Sequence, residues 1–178
     1  MNVSTEYLRI VKDRFKTIQN QGKKAIDQLS EDDLRWQPNK ESNSVAIIVK
    51  HLYGNMLSRW TDFLTSDGEK PTRNRDDEFV DDILSKAELL SMYEKGWENL
   101  FNALNNLEEK DLLNEVYIRS EAHLVIDAIE RQLAHYASHI GQIIYIGKQV
   151  KGTQWETLSI PKGKSEDYLR DMQRKHKS

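Results

Sequence analysis

Cysteine is missing altogether from the 178 residues, and proline and glycine are scarce, at 3 and 8. Without a thiol the chain supplies no thiolate nucleophile, iron–sulfur ligand, cysteine zinc site or disulfide of its own. A dominant charge is lacking too. The 26 basic residues stand against 29 acidic ones, a net charge of −3, which is the wrong sign for a protein that draws its affinity from nucleic-acid phosphates. No run approaches the ~18 consecutive apolar residues of a membrane span. The opening Met1-Asn2-Val3-Ser4-Thr5-Glu6-Tyr7 has no basic stretch followed by an apolar one, as a signal peptide would. The expectation is a cytoplasmic protein without nucleic-acid or membrane partners. What is present, 38% apolar and 31% charged residues, is the composition of a single globular domain over 1–178, with 153–178 as a C-terminal extension.

The three prolines, Pro38, Pro71 and Pro161, fall between long stretches of helical periodicity, which predicts an all-α fold. Leu8, Val11, Phe15, Ile18, Gly22, Ala25 and Leu29 mark a first helix over about Ser4 to Leu29. Ser30 caps a short acidic turn. A second helix beginning near Ser42 or Ser44 carries Val45, Val49, Leu52, Met56, Trp60 and Phe63 inward and ends before Asp67-Gly68. The polar stretch Asp67 to Asp82 is the one real linker. Some ~14 residues of it reach about 45 Å against about 33 Å for a ~22-residue helix, so a third helix can run parallel to the second.

Ser85-Lys86-Ala87-Glu88 has capping-box spacing, and Leu90, Tyr93, Trp97, Leu100, Leu104 and Leu107 carry a third helix onward. Glu108 to Ser120 reads as a mixed connection, with Glu115 to Arg119 only a weak strand signal. The stripe Ile126, Ile129, Leu133, Tyr136, Ile140 and Ile143 places a fourth helix that runs to about Val150, before Lys151-Gly152. A short helix from Ser165 follows in the tail.

Three of the five histidines, His51, His135 and His139, each stand one residue before a core-stripe position, and so lie on the edge of a buried face. His135 and His139, at i and i+4, emerge from one side of the fourth helix with the spacing of two ligands to one metal. If the second and fourth helices are neighbours, His51 completes a facial triad with room for water, as in a catalytic site. Edge histidines also serve simply as hydrogen-bonding groups, so the pattern alone leaves both roles open. His123, about 120° from His135 around a helix, and His176, in the charged tail, read as surface residues.

The segments Ser44-Val45-Ala46-Ile47-Ile48-Val49-Lys50-His51-Leu52 and Leu133-Ala134-His135-Tyr136-Ala137-Ser138-His139-Ile140-Gly141-Gln142-Ile143 resemble the DinB/YfiT-like superfamily of metal-dependent four-helix bundles. Ser58 to Leu64, Asp67 to Pro71 and Leu158 to Gly163 extend the likeness to a bacterial subfamily of unknown function. The resemblance implies an up-down-down-up four-helix bundle with a long crossover from the second helix to the third. It also implies a divalent metal on His51, His135 and His139, and a homodimer. Thiol-dependent transferases in the superfamily imply a low-molecular-weight thiol as cosubstrate.

Imidazole donors favour zinc, nickel, copper, iron or cobalt over magnesium or calcium, with zinc or nickel foremost. The expected function is a metal-dependent hydrolase or thiol transferase acting on a small-molecule substrate. The alternative is a non-catalytic, metal-binding or metal-free bundle with a sensing, stress or interaction role. Asn55, Ser58 and Arg59 project within about 80° of His51, and Gln142 stands one turn beyond His139. Asn55 and Gln142 are candidates to orient histidines. Arg59 is a candidate clamp for a substrate carboxylate, and equally a partner for Asp62 or Glu78. No general base is evident. Trp60 and Trp97 have core spacing, whereas Trp155 is expected over the site's mouth or in a subunit interface. Arg73, Arg75, Asp76, Asp77 and Glu78 read as a solvated, self-neutralising crossover.

Overall fold

Serine opens three of the helices in the computed structural model, which describes residues 2–80, 82 and 85–176. Residues 1, 81, 177 and 178 of the stretches read from the sequence lie outside these. The described chain is mostly helical. Its elements are α1 (Val3–Asp27), α2 (Glu31–Arg35), α3 (Val45–Trp60), α4 (Lys86–Asn105), the strands β1 (Glu115–Ile118) and β2 (Glu121–Leu124), α5 (Val125–Lys151) and α6 (Ser165–His176). Ser30, Ser44 and Ser85 each accept the backbone N–H three residues on, satisfying a donor that a helix start leaves without a partner. At Ser85 the Glu88 side chain closes the reciprocal box that the sequence predicted.

The second long helix is shorter than its periodicity suggests. It stops at Trp60, because Asp62 takes a left-handed conformation (φ 49°) and its carbonyl accepts the N–H groups of Thr65 and Ser66. Phe63 therefore packs beside Trp60 from a turn rather than from the helix, with ring centroids 4.8 Å apart.

The all-α expectation is corrected by a hairpin. β1 pairs antiparallel with β2, and Val116 and Ile118 turn their side chains into the core. Its two loop residues, Arg119 (φ 55°) and Ser120 (φ 64°), hold the left-handed pair that a two-residue hairpin requires, without the usual glycine or asparagine. Asp67 makes this tolerable: its carboxylate accepts both their N–H groups, at 2.9 and 2.7 Å. The crossover and the hairpin are thus tied together, and Gly68 N–H adds a bond to Tyr117 O at 2.7 Å.

α1 and α3 both pack against α4 and α5. Where they meet, each of the four long helices contributes one aromatic ring: Phe15, Trp60, Trp97 and Tyr136, all at most 2% exposed. Phe15 meets the other three edge-on or tilted at 6.1–6.3 Å, and Trp97 meets Tyr136 at 5.8 Å. Such pairs add about 0.5–1.5 kcal/mol each beyond the area they bury. Tyr136 also carries a polar chain into this core, accepting from Trp60 Nε1 and donating to Asn55 Oδ1, both at 2.9 Å.

Trp155 does not cover the histidines. It lies on the end of α5 against Gly147, where a Cβ would strike its ring, and the neighbouring backbone of Glu156 is bonded to Gln28. α6 buries none of its residues. No helix among the described residues is long and apolar enough to cross a membrane.

Candidate metal centre

His51 stands midway along α3, and His135 and His139 lie one turn apart on α5. Their rings converge, with centroids 5.3, 5.0 and 4.6 Å apart in the pairs 51–135, 51–139 and 135–139. The three Nε2 atoms form the focus: His135 Nε2 lies 3.3 Å from that of His51 and 3.0 Å from that of His139. Tetrahedral zinc with nitrogens at ~2.0–2.1 Å sets them about 3.3 Å apart, so this spacing suits one ion.

The outer ring nitrogens fix the tautomers. His51 Nδ1 lies 2.9 Å from Glu78 Oε2, and an ionised carboxylate can only accept, so His51 donates there and keeps a bare lone pair on Nε2. His139 Nδ1 likewise donates to Gln142 Oε1 at 2.8 Å. Two lone pairs thus point at His135 Nε2, which carries at most one proton and can answer only one of them. A second proton on His135 does not relieve the conflict at neutral pH. Burial, then the neighbouring His139, His51, Arg59 and Arg73, pushes His135 down to about 3, and burial also lowers His139 against the support of Gln142. A cation at the focus satisfies all three nitrogens, and the cluster can hold a metal ion.

The charged crossover is solvated at Arg75, Asp76 and Asp77, as expected, but not at Arg73 and Glu78. A short helical turn, Asp76–Phe79, folds Glu78 back onto α3, and Glu78 and Arg73 keep only 8% and 4% of their side chains exposed. Arg73 grips Glu78 through Nε at 2.7 Å and Nη2 at 2.9 Å. Burial opposes the Glu78 charge, but hydrogen bonds from His51 and Arg73 outweigh it and hold the carboxyl below its ordinary value. Lys50 fastens the same turn by donating to the carbonyls of Asp77 and Val80 and to the Asp82 carboxylate. Phe79 stacks on the His51 ring at 5.1 Å. Room for Glu78 comes from Gly54, where any Cβ would collide with the carboxylate.

Gln142 Oε1 lies against His139 Nδ1, whereas Asn55 does not reach His51. It is buried and accepts from Tyr136 instead. Arg59 pairs with neither Asp62 nor Glu78. It reaches Glu69 at 3.1 Å and donates to the Gly68 carbonyl, which also accepts from Ser58 at 2.7 Å. His123 is on β2, not a helix, and it is largely covered, its Nδ1 2.7 Å from Asp127. His176 is exposed near the end of α6.

The chain matches, over residues 2–164, the model of a family described as "Protein of unknown function (DUF1572)". It belongs to that family. No curated protein matches it.

Beside the histidines of this DUF1572 protein lies a cavity of about 180 Å³, lined by His51, His135, Asn55, Gln132 and five arginines. Arg119 is brought here by the hairpin, which the sequence shows only as one weak strand, and Arg131 and Gln132 stand on α5 with nothing in their spacing to set them apart from other polar residues of that helix. Glu69 organises three of the arginines, meeting Arg59, Arg73 and Arg119 at 3.1, 3.3 and 3.0 Å. Burial first, then the charges of Arg73 and Arg119, lowers Arg59 from its ordinary value in spite of Glu69. Trp36 lines a separate groove of about 690 Å³ that reaches Gln142 and Tyr145 but none of the three histidines, and Trp60 lines another, beside Phe63 and Asn99.

Proposed function

We propose that this DUF1572 protein is a metal-dependent enzyme acting on a small molecule, either a hydrolase or a thiol-dependent transferase of the DinB/YfiT-like kind. The same reading makes it an up-down-down-up four-helix bundle and a cytoplasmic homodimer. The observation that supports it is the meeting of three Nε2 atoms whose tautomers leave one nitrogen conflict that a cation removes. His51, His135 and His139 hold one divalent transition ion, zinc or nickel foremost.

When bound, such an ion supplies acidity to a water or thiol brought against it. The chain's residues supply the rest. Glu78 holds His51 in the productive tautomer, and Arg73 keeps Glu78 charged so that it can. Gln142 does the same for His139. With no cysteine in the chain, thiol transfer would draw its thiol from a low-molecular-weight cosubstrate.

Tag-free protein, reconstituted with zinc or nickel and desalted, should carry about one ion per chain by elemental analysis, and His135→Ala should lose it. Less than about a tenth of an equivalent in the parent protein overturns the metal reading, and full occupancy in the variant overturns the ligand set. Ester or amide hydrolysis, compared with addition of a small thiol to an electrophile, separates the two enzyme classes. Metal without either activity leaves a binding protein. Light scattering at high micromolar concentration checks the dimer against the 20.8 kDa chain mass.

A further inference from the structure

The cavity beside the histidines carries far more positive charge than its surroundings offset. Arg59, Arg73, Arg75, Arg119 and Arg131 all line it, and among the described residues the carboxylates that pair with them are Glu69 and Glu78. Arg75 and Arg131 have no carboxylate partner among the described residues. Arg131 only donates to His123 Nε2, at 3.4 Å.

Two nearly closed side chains in the wall are also short of partners. Arg59, 5% exposed, has an unbonded Nε–H, and Gln132, 4% exposed, has an unbonded Oε1. Buried polar groups are rarely left without a partner, because each then forfeits its hydrogen bond to water with nothing in return. The hairpin adds a further sign of design for this spot. Arg119 is held at positive φ, where a long side chain is rare, and Asp67 secures it there while its guanidinium lines the cavity. Backbone strain kept at a charged, concave site is a common mark of ligand recognition.

We propose that this cavity is an anion subsite that receives the oxyanion group, a carboxylate or a phosphate, of the small substrate. Calling the ligand a substrate rests on the metal-enzyme reading above, since the cavity shares His51 and His135 with the candidate centre. The anion binding itself does not. Arg59 and Arg73 form the buried floor, with Arg75, Arg119 and Arg131 at the exposed rim. Planar guanidinium forks suit either oxyanion, by paired N–H···O bonds. About 180 Å³ admits the charged end of a small molecule together with a short arm, and excludes a polymer. Gln132 is placed to accept from a hydroxyl or amine on that arm.

The test uses the full chain, chelator-treated and metal-loaded in parallel, titrated with inorganic phosphate and separately with malonate by calorimetry. At least one anion should bind the metal-free protein saturably, with a dissociation constant near or below about 1 mM. Arg75→Gln/Arg131→Gln should weaken it by about tenfold or more, and Arg14→Gln on the exposed face of α1 should leave it unchanged. Neither rim variant removes a salt bridge of the fold, and thermal melting of both variants controls for misfolding. Preference for phosphate or for malonate assigns the oxyanion type.

A linear, non-saturating response from both anions overturns the subsite, as does equal binding by the double variant. The two readings fail separately. Saturable anion binding by a protein that takes up no metal keeps the subsite and removes only its link to metal chemistry. Full metal uptake without anion binding removes the subsite alone.

Discussion

Glu78 lies 2.9 Å from the Nδ1 of His51, although 27 residues separate them and nine-tenths of each side chain is withdrawn from solvent. A buried carboxylate held by an arginine on one side and an imidazole on the other is an outer partner that decides which ring nitrogen faces the focus of the site. Glu78→Gln keeps the shape but removes both the charge and the certainty of acceptance. Metal affinity, measured by competition with a chromophoric chelator, should fall by about 10–100-fold. Affinity equal to that of the parent protein would show that His51 needs no such partner.

Gly54 offers a test whose sign is informative. In an exposed helix interior, glycine to alanine gains about 1 kcal/mol. Here the added methyl meets the Glu78 carboxylate, and the turn that carries it must move. Gly54→Ala should therefore be destabilised in urea melts, with weaker metal binding. A gain in stability with unchanged metal affinity would mean that Glu78 is free to shift.

Much of this was legible in the sequence because helices repeat. The edge positions of His51, His135 and His139 follow from 3.6-residue periodicity, and so does Gln142 beside His139, one turn along the same helix. Glu78 was not legible, because a run of charges reads as solvated whenever its partners are distant in sequence. The available signal was indirect: a glycine at position 54, inside a strongly apolar helix, marks a close approach by something else. The hairpin was faint for a related reason. Arg119-Ser120 lacks the turn chemistry that advertises such a loop, and the compensation sits on Asp67, fifty residues earlier. The α3 end was overrun because Asp62 turns the chain without a glycine or proline to announce it.

The polar chain through the core joins the site to the aromatic cluster. Tyr136→Phe leaves Trp60 Nε1–H without its acceptor and Asn55 Oδ1 without its donor, both in buried surroundings. The variant should lose about 1–3 kcal/mol of stability by urea denaturation. Since Asn55 also lines the arginine cavity, its release should weaken anion binding more than metal binding. Unchanged stability would mean that water replaces the hydroxyl at no cost.

Asp67 links the crossover to the hairpin, and that link should depend on pH. Its carboxylate accepts the N–H of Glu69, and also those of Ser120 and Arg119; these bonds outweigh partial burial and lower its pKa. A carboxyl depressed in the folded state contributes stability that is fully present above its unfolded pKa of ~3.9, and that is lost as pH falls through the folded value. Asp67→Ala should therefore be less stable than the parent protein by about 1–2 kcal/mol at pH 7, from charge-assisted bonds discounted for partial exposure. The difference should narrow once the pH drops below about 4, because the parent's unfolded chain then binds a proton that its folded carboxyl still refuses. Paired urea melts at pH 7 and in the acid limb read this directly. A gap that stays constant with pH would assign the loss to packing rather than charge, and Arg119 would then hold its left-handed conformation without the carboxylate's help.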